Sequence, residues 1–249
     1  MNHIPKCLKK EPLIEVIWQI QFEPQKNQPI GDLLPGLLYP RLKGIHPRLQ
    51  LIRLPMADIP AQIVSLDPNL RFSAKYRMEE AECPVLFQVG DRILTVNCRQ
   101  KYIGWEKFKE KIQTMIQLVA GCGLIPSPGR HSLRYLDLLT LDKAPDMSSL
   151  QLSLKLGQNE INRQPIRMRM DLPDGDFTHI CHIATPAEMN TINGLQVGTL
   201  VDTETFITDS SADWETVENQ VDHLHECAKA LFFERLLTAE AVSRLEPEY

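Results

Sequence analysis

One pattern of apolar residues occurs twice in this chain and limits the folds that it can adopt. Trp105 and Trp214 each begin a stretch with apolar residues at +3, +7, +10 and +14, a spacing that aligns them on one side of an α-helix. Each stretch follows a β-type run that contains a Val-Gly pair, Val89-Gly90 in one and Val197-Gly198 in the other. Because the period of this repeat is roughly half the length of the 249-residue chain, it predicts two similar α+β halves.

The residues before the first repeated helix indicate strands and one irregular helix. Leu13 to Phe22 and Arg71 to Met78 alternate apolar and polar residues, as half-buried strands do. Residues 30–43 have leucines at helical spacing, but Pro35 and Gly36 interrupt them. This interruption predicts a short or broken helix.

A linker candidate divides the chain near its middle. Residues 125–130 contain two prolines and a glycine, a composition typical of connections between elements. We therefore predict an α+β protein of two pseudo-repeats, each a curved antiparallel sheet packed by a long amphipathic helix. The first repeat spans residues 1–126 and the second spans residues 127–249, and we expect them to pack as one globular unit. Asp213 or Ser211 is the expected N-cap of the second long helix.

Composition disfavours several classes of function. The net charge of −5 disfavours binding of polyanions by the whole surface. The N-terminal segment lacks the apolar core of a signal peptide, and the longest apolar stretch, residues 112–125, is too short and too interrupted to cross a bilayer. The six cysteines include no Cys-x-x-Cys pair, which favours reduced thiols. We expect a cytoplasmic protein with no membrane association.

Motifs of catalysis and metal binding are absent from the sequence. It has no Gly-x-Ser-x-Gly, no His-Glu-x-x-His and no Gly-rich phosphate loop. His179, Cys181 and His182 do not have the spacing of a zinc site. We therefore expect no metal, no cofactor and no catalytic residues, which makes an enzyme the less favoured interpretation.

Five basic residues form a candidate binding surface. The period of a β-strand places Arg71, Lys75 and Arg77 on one face of one strand, and Arg167 and Arg169 on one face of another. If the two halves are similar, these charges line one surface that suits an anionic small ligand, a nucleic acid or an acidic partner. The alternative is a solvated sheet face, on which arginines pair with acids of neighbouring strands.

Arg134 is a sixth candidate because it lies in an apolar strand pattern. A buried guanidinium needs an acidic partner, and Glu15, on the matching strand of the first half, is the predicted one. The alternatives are an ion pair that links the two halves and an arginine that anchors a ligand. Asp202 and Glu204 share one face of the last long strand, and we interpret them as acids that balance arginines of a neighbouring strand.

The second long helix ends with more apolar residues than one stripe requires. Leu231, Phe232, Phe233 and Leu236 widen its apolar side. This surplus indicates a surface that packs on the other half of the chain or on a partner protein.

Short motifs along most of the chain resemble those of one protein family. The motifs are Pro12-Leu13-Ile14-Glu15-Val16, Phe87-Gln88-Val89-Gly90, Tyr102-x-Gly104-Trp105, Leu133-Arg134-Tyr135, and Leu224-His225 with Phe232 and Leu237-Thr238. On these motifs the chain resembles a family of uncharacterised bacterial proteins of about this length that is sporadically distributed among genomes. The family pattern has Asn where this chain has Asp137. The resemblance implies no activity, but sporadic distribution implies a horizontally mobile accessory role.

The resulting expectation is a non-enzymatic interaction or adaptor protein of a mobile bacterial accessory system, for example defence or toxin–antitoxin. Such a protein would bind a protein partner. One alternative is a small-ligand or nucleotide-binding module with a pocket between sheet and helix. Another is a protein that binds nucleic acid through a basic sheet face.

Overall fold

A computed structural model describes residues 4–24, 28–68, 70–161, 163–208 and 212–249. The strands are β1 (Cys7–Leu8), β2 (Leu13–Phe22), β3 (Gln50–Arg53), β4 (Ala74–Glu79), β5 (Val85–Gly90), β6 (Ile93–Arg99), β7 (Pro128–Leu139), β8 (Lys155–Leu156), β9 (Asn159–Glu160), β10 (Ile166–Asp174), β11 (Phe177–Thr191), β12 (Gly194–Ile207) and β13 (Pro247–Glu248). The α-helices are α1 (Ile30–Ile45), α2 (Ala61–Leu66), α3 (Trp105–Ala120), α4 (Trp214–Ala230) and α5 (Ala239–Arg244). A 3₁₀ turn covers Pro55–Asp58, and a π-helical segment, Leu231–Leu236, follows α4.

Most of the strands belong to one large antiparallel sheet. Its nine strands have the order β10-β11-β12-β7-β2-β6-β5-β4-β3. Two small antiparallel pairs, β1 with β13 and β8 with β9, lie outside it. The predicted α+β class with antiparallel strands is therefore confirmed.

The chain forms two compact units. Unit 1 contains residues up to Val16, Leu133–Thr205 and Asp222–Tyr249, and unit 2 contains Ile17–Ser132 and Phe206–Val221. The predicted boundary between residues 126 and 127 falls within unit 2. Strand β7, which follows this boundary, begins in unit 2 and continues into unit 1.

In unit 2 two helices cover strands of the sheet. Helix α1 lies against β4 and β5, and α3 lies against β6. The predicted break in α1 is wrong, since the helix runs unbroken through Pro35 and Pro40. Each proline removes a helical hydrogen bond, but leucines one turn apart hold the helix by burial: Leu34, Leu38 and Leu42.

In unit 1 an apolar cluster joins strands to the end of the last long helix. Leu139, Cys181 and Val201 from the strands are buried together with residues of the π-helical segment. The Leu237 N–H donates to the Phe232 carbonyl at 3.0 Å, the i→i−5 bond of a π turn. Thr238 is the N-cap of helix α5, and its side chain accepts from the Ala241 N–H at 3.1 Å.

The helices of the described residues do not include one with the length and apolar character needed to cross a bilayer. All six cysteines lie in described segments, and none of them is joined in a disulfide.

Candidate functional site

The basic residues predicted in the first half lie in unit 2, and each has an acidic partner. Arg71 lies in a turn rather than on the predicted strand, because β4 begins only at Ala74, and it pairs with Glu23. Lys75 lies on β4, where its Nζ is 2.9 Å from an Asp91 carboxylate oxygen. Its side chain is only 14% exposed, so little of this charge reaches solvent.

Arg77 completes this group on β4. Its Nη2 lies 3.0 Å from Glu79, two positions further along the same strand. Arg99 on β6 also approaches Glu79, at 3.8 Å. These contacts are those of a sheet face on which cations and anions alternate.

The two basic residues predicted in the second half lie on β10, in unit 1. Arg167 and Arg169 point to the exposed face, while Met168 and Met170 are half-buried. Arg169 binds Asp171 through its Nε at 2.9 Å. Within the described part of the chain, Arg167 has no ion pair. Four of the five basic residues are thus paired with acids. The candidate binding surface formed by these five residues stays a prediction.

Arg134 on β7 has a different partner from the predicted one. Its Nε and Nη2 donate to the two carboxylate oxygens of Asp202 on β12, at 2.7 and 2.6 Å. The Asp202 hydrogen bond is also the main cause of the raised pKa of Arg134, whereas Glu15 adds only a weaker electrostatic contribution. The predicted Glu15 pair is wrong: β7 lies between β12 and β2 in the sheet, and the guanidinium binds the acid on β12 rather than Glu15 on β2. The interpretation of Asp202 as a cross-strand partner of an arginine is confirmed.

The apolar end of the second long helix is part of the unit 1 core. Leu231, Phe232 and Leu236 are buried in the apolar cluster, and Phe233 packs against it. The Phe232 and Phe233 rings meet edge to face at 5.1 Å. These four residues therefore stabilise their own unit, and their apolar surplus does not form an open partner surface.

A buried polar group in unit 1 escaped the sequence analysis. The Tyr135 hydroxyl and His225 Nδ1 lie 2.7 Å apart, and burial lowers the pKa of His225 to about 3. Strand alternation places Asp137 on the same face of β7 as Tyr135. Burial, with a smaller contribution from Asp202, raises the pKa of Asp137 to about 8. At neutral pH the His225 imidazole is therefore uncharged and the Asp137 carboxyl is protonated.

The Tyr135 hydroxyl, the His225 imidazole and the Asp137 carboxyl are all groups that can form hydrogen bonds. In the described segments, no three His, Cys, Asp or Glu side chains are grouped so that they could hold a metal ion. The alternating pattern of β7 could have indicated that Tyr135 and Asp137 share a face, but nothing in the sequence places His225 beside them.

The outer side of α1 in unit 2 carries several exposed apolar residues. Leu33, Leu37 and Ile45 are 45%, 43% and 53% exposed. Gly36 and Gly44 lie on the same side, and a Cβ added at either one would meet nothing within 4 Å. The leucine doublets 33–34 and 37–38 are the sequence signal that was missed, because adjacent residues point in different directions around a helix, so that one leucine of each doublet can be buried while the other is exposed.

Neither protein-family models nor curated proteins match this chain. Function is therefore inferred from the side chains and surfaces described above.

Proposed function

We propose that the protein is a non-enzymatic interaction module that binds another protein through the outer side of α1. One observation carries this proposal. Helix α1 buries one row of leucines and exposes a second row that includes Leu33 and Leu37. Neighbouring apolar side chains that are exposed on one side of a helix suit contact with a protein partner.

The small residues on this side of α1 also favour a protein partner. Gly36, Pro40 and Gly44 are spaced one turn apart and are all exposed. They let a second backbone approach the helix closely, while Leu33 and Leu37, on the adjacent row of the helix, provide apolar contacts. Charged residues are few on this helix, which fits the apolar centre of a protein interface.

We further propose that the chain arose by duplication. The strand order supports it, since β7, β12, β11 and β10 follow one another in one direction and β2, β6, β5 and β4 in the other. The repeated helical residues also support it, because all eight are buried: Phe108, Ile112, Met115, Val119, Val217, Val221, Leu224 and Ala228. Each proposed repeat is a curved antiparallel sheet packed by a long helix.

The family resemblance suggests where such a module works. We propose a role in a mobile bacterial accessory system, with defence and toxin–antitoxin systems as the candidates. Nucleic-acid binding has less support, because the acids beside Arg71, Lys75, Arg77 and Arg169 compete with phosphate for these cations.

A small-ligand role has support from one observation. Tyr135 and His225 form a polar contact in unit 1, and Asp137, on the same face of β7 as Tyr135, is protonated at neutral pH and so able to donate a hydrogen bond. Native mass spectrometry of freshly purified protein would detect a retained ligand as a mass adduct.

The test of the α1 surface is a comparison of two charge insertions at exposed leucines. Tagged wild type, L37D and L156D are purified from the native host, and the proteins bound in stoichiometric amount are quantified by mass spectrometry. Leu156 is 73% exposed in unit 1, so L156D is the matched control. We expect L37D to lose the partner and L156D to keep it.

Two results would contradict this proposal. One is a wild-type protein with no stoichiometric partner, and the other is an L37D variant that retains the partner as well as L156D does. Both substitutions replace exposed side chains, so thermal melting should show folded protein in each case.

A further inference from the structure

Strand β10 in unit 1 leaves one long sheet edge without a strand. β10 is the outermost strand on one side of the sheet. It pairs with β11 over all nine of its residues, with no shift in register. No strand of the described residues pairs with its other edge. Natural proteins usually shorten, bend or cover such an edge, since it is a template for another strand.

Pro173 indicates which residues direct their backbone groups outward. Proline has no N–H to donate, so within a sheet it is placed where that N–H would point away from the neighbouring strand. Backbone direction alternates along a strand. Arg167, Arg169 and Asp171 therefore direct their backbone N–H and C=O groups to the open edge, in phase with Pro173.

We propose that two copies of this chain pair antiparallel through β10, about a two-fold axis at Met170. In this register Arg169 lies opposite Asp171 of the second copy, and by symmetry Asp171 lies opposite Arg169 of the second copy. The outward backbone groups of these residues then form the inter-strand hydrogen bonds.

Charge complementarity selects this register over its neighbours. Arg169 and Asp171 are 55% and 56% exposed and pair within their own strand. An exposed pair of this kind contributes little and can exchange partners. A two-fold axis at Arg169 would instead place that guanidinium opposite its own copy, and like charges directly opposite are unfavourable.

The opposite side of the strand is also complementary. Met168 and Leu172 are half-buried against the apolar cluster of unit 1. With the axis at Met170, each Met168 lies opposite Leu172 of the second copy. Pairing would therefore extend an apolar sheet face and cover these partly exposed side chains.

The test is a charge swap read out by sedimentation velocity over a concentration series. R169D or D171R alone places like charges opposite each other twice in the dimer, so we expect each to raise the dimer dissociation constant roughly tenfold. The double variant R169D/D171R restores opposite charges and should recover the wild-type value. R167D is the matched control, because Arg167 is exposed on the same face but lies opposite Pro173 of the second copy.

Three outcomes would overturn the proposal. The first is a wild-type protein that stays monomeric at the highest concentration at which it remains in solution, which would leave the edge to an extended segment of another protein. The second is a dimer that R169D weakens no more than R167D does. The third is a double variant that is no tighter than the single variants, since the effect would then not depend on pairing between copies.

Discussion

Helices α3 and α4 carry the same apolar spacing but differ in what surrounds it. In both helices the repeated apolar positions are buried. The residue directly after the third repeated position (+10), however, is Ile116 in α3 and His225 in α4. Both of these residues are buried as well. In α3 this adds one more apolar side chain, whereas in α4 it brings an imidazole against Tyr135. The repeat determines which side of each helix is buried, and the residues beside it determine the chemistry of that side.

The first prediction compares the two helices at their first repeated position. Phe108 and Val217 are both fully buried, but the Phe108 ring also contacts Tyr102 and Trp105 at centroid distances of 6.1 and 6.5 Å. We expect F108A to lower the free energy of unfolding by about 3–5 kcal/mol. We expect V217A to lower it by roughly 2 kcal/mol, because it removes two methyl groups.

Urea denaturation of both variants measures this difference. F108L is the control, since it retains most of the apolar volume and should be less destabilising than F108A. Equal decreases in the free energy of unfolding for F108A and V217A would show that the two positions are energetically equivalent despite their different side chains.

The second prediction concerns Asp137, which lies on the same face of β7 as Tyr135, the residue that contacts His225 of α4. The pKa of Asp137 is raised from 3.8 to about 8 in the folded chain, so between these values the folded state holds a proton that the unfolded state has lost. Stability therefore falls as pH rises toward 8, by about 1.4 kcal/mol per pH unit. The pKa of His225 is lowered from 6.5 to about 3, which makes stability rise with pH up to 6.5 and offsets Asp137 over that range.

The informative range is therefore between pH 6.5 and pH 8, where the Asp137 effect remains. We expect wild type to lose about 2 kcal/mol across this range, and D137N, which cannot ionise, to remain nearly constant. Denaturation midpoints at several pH values measure the pH dependence of stability for wild type and for D137N. A D137N variant with the same pH dependence as wild type would show that Asp137 is not the group that titrates.

The sequence predicted the parts of the fold that depend on local pattern. The alternating residues of β2 and the spacing in α3 and α4 are local, and they indicated the right elements. The Arg134–Asp202 pair and the Tyr135–His225 contact depend on which strands and helices become neighbours, which short-range periodicity does not specify. Helix α1 was predicted to break at Pro35 because local propensity was weighed without the burial of Leu34, Leu38 and Leu42.

The smallest expected effect concerns how the two helices begin. Asp213 accepts a hydrogen bond from the Thr216 N–H at 2.8 Å, as an N-cap does, whereas α3 begins after Gly104 with no side-chain cap. The sequence prediction of Asp213 as a cap is confirmed, and Ser211 lies outside the described residues. We expect D213A to lower the free energy of unfolding by about 1 kcal/mol. D213N should cost less, because the amide oxygen can still accept the bond. If D213N is as destabilising as D213A in urea denaturation, the negative charge at the positive end of the helix stabilises α4 more than the hydrogen bond does.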